Sequence, residues 1–156
     1  MSVILPDLLD NIHILASASR SAVGIAHEMN VEEGAVINPI LCQVANQSTL
    51  IMMAGDKACD AAQVCRVLNI KGSVTTLGNE AIVALTGSDI DDLFVLELAQ
   101  GMPTILDASL KRFVMLYSRA GSPKCLIETT FNELKILTGG IISYAVASPA
   151  WHPPKK

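Results

Sequence analysis

The sequence predicts an α/β or α+β protein: a single mixed β-sheet with helices packed on it and a long helix at the N-terminus. Three observations lead there. Apolar segments with helical spacing alternate along the chain with short β-branched runs, an order that builds layered sheet-and-helix folds. Glycine and proline punctuate these segments at intervals that suit turns and helix ends. The 156 residues, 51% of them hydrophobic and 17% charged, suit one domain with a large core. The expected organisation is a single domain over 1–148 and an extended, proline-rich tail over 149–156, "PAWHPPKK".

The elements follow in order. After Pro6, "DLLDNIHILASASRSAVGIAHEMN" carries Leu8, Leu9, Ile12, Leu15 and Ser19 on one face, and Pro6-Asp7 suits a helix start. Ala18, Ala22 and Ala26 form a second stripe of small residues at i, i+4 spacing, which lets another backbone come close. "EEGAVINPILCQVA" reads as a strand in which Pro39 demands an edge or a bend, and "STLIMMAG" as a short apolar strand. Residues 57–68 read as a helix with Ala58, Ala61, Ala62, Cys65 and Leu68 on its buried face, capped by Asp56. "GSVTTLG" and "EAIVALTG" read as two strands joined at Gly78-Asn79. "SDIDDLFVLELAQ" reads as a helix capped by Ser88 and closed by Gly101 and Pro103. A strand "RFVMLYSRAG", a turn "GSPK", a helix "TTFNELKILTGG" and a last strand "IISYAVAS" complete the chain.

The order strand–helix–strand–strand–helix over residues 49–102 resembles ferredoxin-like domains, microcompartment shell domains among them. The basic residue expected near the end of that family's first helix is missing and the loops do not match, so the resemblance stops at the order of elements.

Composition narrows the function classes. The formal net charge is −4 and no Lys/Arg run occurs except Lys155-Lys156. Nucleic-acid affinity rests on phosphate neutralisation, so the expectation is no nucleic-acid partner. No apolar run reaches membrane-span length, and the acids Asp7 and Asp10 rule out a signal-peptide n-region. The expected compartment is the cytoplasm, with Cys42, Cys59, Cys65 and Cys125 as reduced thiols. Cys42 and Cys65 are core fillers. Cys125, beside Lys124, is the most exposed thiol.

No nucleotide-binding or nucleophile-elbow motif occurs, and no metal site is expected. His13 and His27 stand roughly 21 Å apart along a helix, and His152 lies in the tail. No cofactor is identified. Arg20, Arg66, Arg112 and Arg119 are the candidates for holding an anion. The candidate ligand site is the pair of strand–helix junctions at Gly55-Asp56 and Gly87-Ser88-Asp89, where open α/β sheets bind ligands. Ala18, Ala22 and Ala26 are the candidate oligomer contact, because so few charges leave much apolar surface to cover. The expected function is a non-catalytic or accessory module that homo-oligomerises and binds a small polar ligand. The alternatives are a small enzyme with an intersubunit site using dispersed Asp, Arg and Cys residues, and a shell-like structural assembly protein.

Overall fold

A computed structural model describes residues 12–16, 22–44, 47–59, 74–89, 93–99, 101–122, 124–143 and 147–149. The fold is α+β. Its centre is a five-stranded mixed sheet of order β5-β2-β3-β6-β9, made of β2 (Ile37–Val44), β3 (Gln47–Ala54), β5 (Val74–Thr76), β6 (Thr104–Asp107) and β9 (Ile141–Ser143). β5, β2 and β3 run antiparallel, whereas β3, β6 and β9 are parallel. A second, antiparallel sheet of order β1-β8-β7 joins β1 (Ile12–Ile14), β8 (Cys125–Thr129) and β7 (Leu116–Arg119). A bridge from Val36 to Tyr117 ties it to the first sheet. β4 (Lys57–Cys59) pairs with β10 (Ala147–Pro149).

The helices are α1 (Ala22–Met29), α2 (Asn79–Thr86), α3 (Val95–Ala99) and α4 (Phe131–Thr138), with 3₁₀ turns η1 (Glu33–Ala35) and η2 (Ala108–Arg112). Alternation on β3 puts Leu50, Met52 and Ala54 on one face with Leu106 of β6. There they pack with Leu96 and Ala99 of α3, Leu110 of η2 and Leu134 of α4. Ile51 and Met53, on the opposite face, are also fully buried, as expected for a strand between layers. A smaller cluster joins Leu15, Ile25 and Ala26 to Tyr117 and Leu126.

The mixed sheet with helices packed on it is as the sequence predicts, but several elements differ. The long N-terminal helix is absent over Ile12–Ile14, which is strand; α1 is eight residues long and ends at Asn30 with φ 57°. Ile12 shares the expected helix face with Leu15, while Ile12 and Ile14 alternate as strand residues do. Pairing with β8 decides between them, because it gives the exposed edge of β8 a backbone partner. Residues 7–11 and 17–21, Ala18 included, lie outside the described residues. The helix expected over 57–68 begins instead as strand β4; residues 60–68, including Cys65, lie outside the described residues. "EAIVALTG" is helix α2, not strand. Its short apolar run is ambiguous by periodicity, and Ala, Leu and Glu favour the helix, which Gly87 closes at φ 82°. Within "SDIDDLFVLELAQ" the described helix is Val95–Ala99 and Phe94 bridges to Ala120; residues 90–92 and 100 lie outside the described residues. Ser88 caps none of the described helices. Its backbone N–H donates to Thr86 Oγ1 at 3.2 Å just past the end of α2. The resemblance to ferredoxin-like order thereby disappears.

Other expectations hold. Pro39 sits where β2 pairs only with β3, since β5 reaches only Cys42–Val44, so no ladder bond is lost on the open side. α4 carries a full capping box between Thr130 and Glu133 and stops at Gly139, φ 61°. Cys42 is fully buried and Cys125 half-buried, and neither is in a disulfide. "IISYAVAS" splits into β9 and β10, which belong to different sheets. Pro149 falls within β10, and the tail beyond it lies outside the described residues. None of the described helices is long and apolar enough to cross a membrane.

Candidate functional site

Because β3, β6 and β9 are parallel, their carboxyl ends form one edge, the place where open sheets with this arrangement collect ligands. Three connections meet there. β3 ends in the turn at Gly55-Asp56, β6 ends at Asp107 and passes straight into η2, and β9 ends at Ser143. Asp107 and Ser143 are register partners and thus share a face of the sheet; both are buried. On the far side of β3, Asn38 pairs with Met53 at the start of β2, and its amide donates to the Lys57 carbonyl at 3.4 Å.

Asp107 has two roles. Its Oδ2 accepts the Ser109 backbone N–H at 2.8 Å, capping η2. Its carboxylate also places negative charge at the strand end. Ser109 in turn ties η2 to β3, its hydroxyl accepting the Ala54 N–H at 3.1 Å. η2 then delivers Arg112 to the turn. Arg112 Nη1 and Nη2 donate to Asp56 Oδ2 and Oδ1 at 3.1 and 2.6 Å, a bidentate fork. Arg112 Nε donates to the Ser109 carbonyl at 2.9 Å, and the guanidinium lies 4.8 Å from the Phe113 ring centre. The cation is thus held from three directions. The hydrogen bond from Arg112 holds the Asp56 carboxyl below its ordinary value, with help from the nearby charge of Lys57; the same bond raises Arg112, as do the charges of Asp56, Glu32 and Asp107.

The turn itself is packed against η1. A Cβ on Gly55 would stand 2.5 Å from the Glu33 carbonyl oxygen, 2.6 Å from that of Val36 and 2.8 Å from Ala22 Cβ. Gly55 is glycine because backbone passes there at contact distance, not because of an unusual φ.

The sequence-predicted residues are placed as follows. Gly55 and Asp56 lie at the strand edge, in a β3–β4 turn rather than at a helix start, so Asp56 is an ion-pair partner and not an N-cap. Gly87, Ser88 and Asp89 follow the carboxyl end of α2. Nearby Thr86, Leu93 and Phe94 help line a separate apolar cavity of about 390 Å³. Ala22 and Ala26 pack inside the chain's own smaller cluster. Of the candidate arginines, Arg112 is at the edge and Arg119 is buried in β7; Arg20 and Arg66 lie outside the described residues. Asp107, Asn38, Ser109 and Ser143 escaped sequence reasoning. The signal for Asp107 was "TILDAS": four strand residues running into an Asp-x-Ser turn.

Asp56 gives a pH prediction. Its folded pKa is depressed, so the pair stabilises above the unfolded carboxyl value near 3.8 and that stabilisation is lost as pH falls through the folded value. With the side chains of Arg112 and Asp56 43% and 31% exposed, solvent screening limits the pair to at most about 1 kcal/mol. Asp56→Asn should melt below the wild type at pH 7, and the gap should narrow as pH falls below 3.8. A gap that persists unchanged at pH 2 would show that the ion pair is not its source.

Comparison with known proteins adds the family. A crystal structure of a hypothetical protein, APE2540, superposes with a TM-score of 0.79 over 88% of this chain and 90% of that one, at 19% identity. A crystal structure described provisionally as a trans-editing enzyme for prolyl tRNA synthetase gives 0.76 over 85% and 83%, at 22% identity. At such identities these likenesses show a shared fold. No curated protein matches the chain. The model of the aminoacyl-tRNA editing domain matches residues 16–137, a span that includes Asn38, Asp56, Asp107 and Arg112. That match overturns the expected non-catalytic, ligand-binding or shell-like module, and with it the exclusion of nucleic acid as a partner. The exclusion failed because net charge averages over the surface, whereas contact with one end of an RNA needs only a few placed cations. The chain belongs to the aminoacyl-tRNA editing domain family.

Proposed function

We propose that this protein hydrolyses the ester that joins an amino acid to tRNA, with the carboxyl edge of β3 and β6 as its reaction site. The observation that carries this reading is the family match spanning every charged residue of that edge. In the reaction, water adds to the ester carbonyl carbon, the bond to the ribose oxygen breaks, and that oxygen takes a proton. The amino acid leaves as a carboxylate.

The chain offers suitable groups. Asp107, fixed through Oδ2, presents its other oxygen to the α-ammonium group of the substrate and so orients the ester. Asn38 supplies a neutral amide two strands away at the same edge, across β3. Arg112, locked by Asp56, and Lys57 flank the edge and favour the ribose-phosphate side of the substrate. This division of charge, anionic at the strand end and cationic around it, matches an aminoacyl ester on RNA. Such a protein works in the cytoplasm, where tRNA is charged, and we take residues 1–148 as the working domain.

A non-hydrolysable analogue, an aminoacyl group linked by an amide to the 3′ position of adenosine, tests the placement. Bound analogue should perturb the backbone resonances of Asn38, Asp56 and Asp107, and Asp107→Asn should weaken it. Perturbation confined to the α2–α3 cavity would refute the site.

A further inference from the structure

The cleft next to the strand edge is built of cations and aromatic rings. η2 leads from Asp107 through Lys111 and Arg112 to Phe113, and Val114 follows with 84% of its surface exposed. Facing them are Thr130, Phe131 and Asn132 at the start of α4, and the open space between is about 430 Å³. The Lys111 ammonium stands 5.4 Å from the centre of the Phe131 ring, and Arg112 covers Phe113. Both rings are half-buried and packed against the main core, so they are held as fixed platforms rather than free side chains. A stacking ring with a cation over its face, flanked by amide and hydroxyl groups, is how proteins hold single-stranded nucleic acid. The charge fits a phosphate, the ring fits a base, and Arg112, at the reaction edge, covers Phe113, one of the rings that line the cleft.

We infer that this cleft seats one unpaired nucleotide of the tRNA near its charged end. Its base takes the face of Phe131 that the Lys111 ammonium covers, the displaced ammonium meets its phosphate, and Asn132 and Thr130 are in place to meet the base edge. This inference rests on the editing reading and extends it from the ester to the RNA.

The test measures binding of uncharged tRNA and, separately, deacylation of aminoacyl-tRNA at saturating enzyme. Phe131→Leu removes the ring with little change of volume and should weaken tRNA binding about tenfold or more, while Phe131→Tyr retains it. Lys111→Ala, an exposed change that does not endanger folding, should weaken binding and reduce the salt slope by about 0.7, the value for one phosphate of a single strand. A tRNA shortened by its unpaired 3′ nucleotides should bind wild type and Phe131→Leu equally. If the wild type deacylates its substrate but Phe131→Leu and Lys111→Ala bind tRNA as wild type does, the inference is overturned and the editing reading stands. If the wild type neither binds nor deacylates, the editing reading itself fails.

Discussion

Asp107→Asn should lower kcat/KM for aminoacyl-tRNA deacylation by about 10- to 150-fold, the equivalent of one charge-assisted hydrogen bond of about 1.5–3 kcal/mol. The substitution is chosen because it separates two roles. Asn keeps an oxygen that accepts the Ser109 N–H, so η2 stays capped and Arg112 stays in place. What disappears is the negative charge at the strand end. The melting temperature should therefore move little while the rate falls. Asp107→Ala would remove both functions and add the loss of a cap, about 1 kcal/mol. A full rate in Asp107→Asn would remove Asp107 from the reaction and leave it a structural cap.

The largest effect on stability should come from Gly55→Ala. One added methyl meets two backbone carbonyl oxygens and the Ala22 methyl inside 3 Å, and neither η1 nor β2 can retreat without breaking the Val36–Tyr117 bridge. Overpacking of this kind costs about 2 kcal/mol, which for a chain this size lowers the melting temperature by about 4–8 °C. Activity should fall with it, because the same turn positions Asp56 against Arg112. Gly78→Ala is the matched control: its Cβ meets nothing within 4 Å and its φ is −77°. Gly78 is the N-cap of α2, where Ala caps less well, so that variant should lose at most about 1 kcal/mol, well short of Gly55→Ala. Equal losses in the two variants would mean that glycine flexibility, not the close approach at Gly55, is responsible.

How much of this was legible from the sequence depended on the length of each signal. β2 and β3 are eight residues each and were found; α4 was found because its glycine stop is local chemistry. β6 is four residues, preceded by Pro103 and followed at once by η2, so it offers no alternation long enough to count. Yet β6 makes the sheet parallel on that side and so creates the edge. Missing it meant missing Asp107, and it left Asp56 with only a helix to cap. The Asp56–Arg112 pair spans 56 positions and no local pattern records it. Arg112 was a candidate for holding an anion, and its partner proves to be a carboxylate of the same chain. The N-terminal helix failed for a related reason: Ile12 fits a helix face with Leu15 and a strand with Ile14, and only a strand more than a hundred residues away decides.

The most direct test of the account is the loss of labelled amino acid from tRNA, measured for a panel of correctly and incorrectly charged tRNAs with the wild type in excess. The account predicts that at least one aminoacyl-tRNA decays in proportion to enzyme, leaving intact tRNA and free amino acid, and that Asp107→Asn slows that decay by at least about tenfold. Decay at the spontaneous rate for every member of the panel, from folded protein, would contradict it.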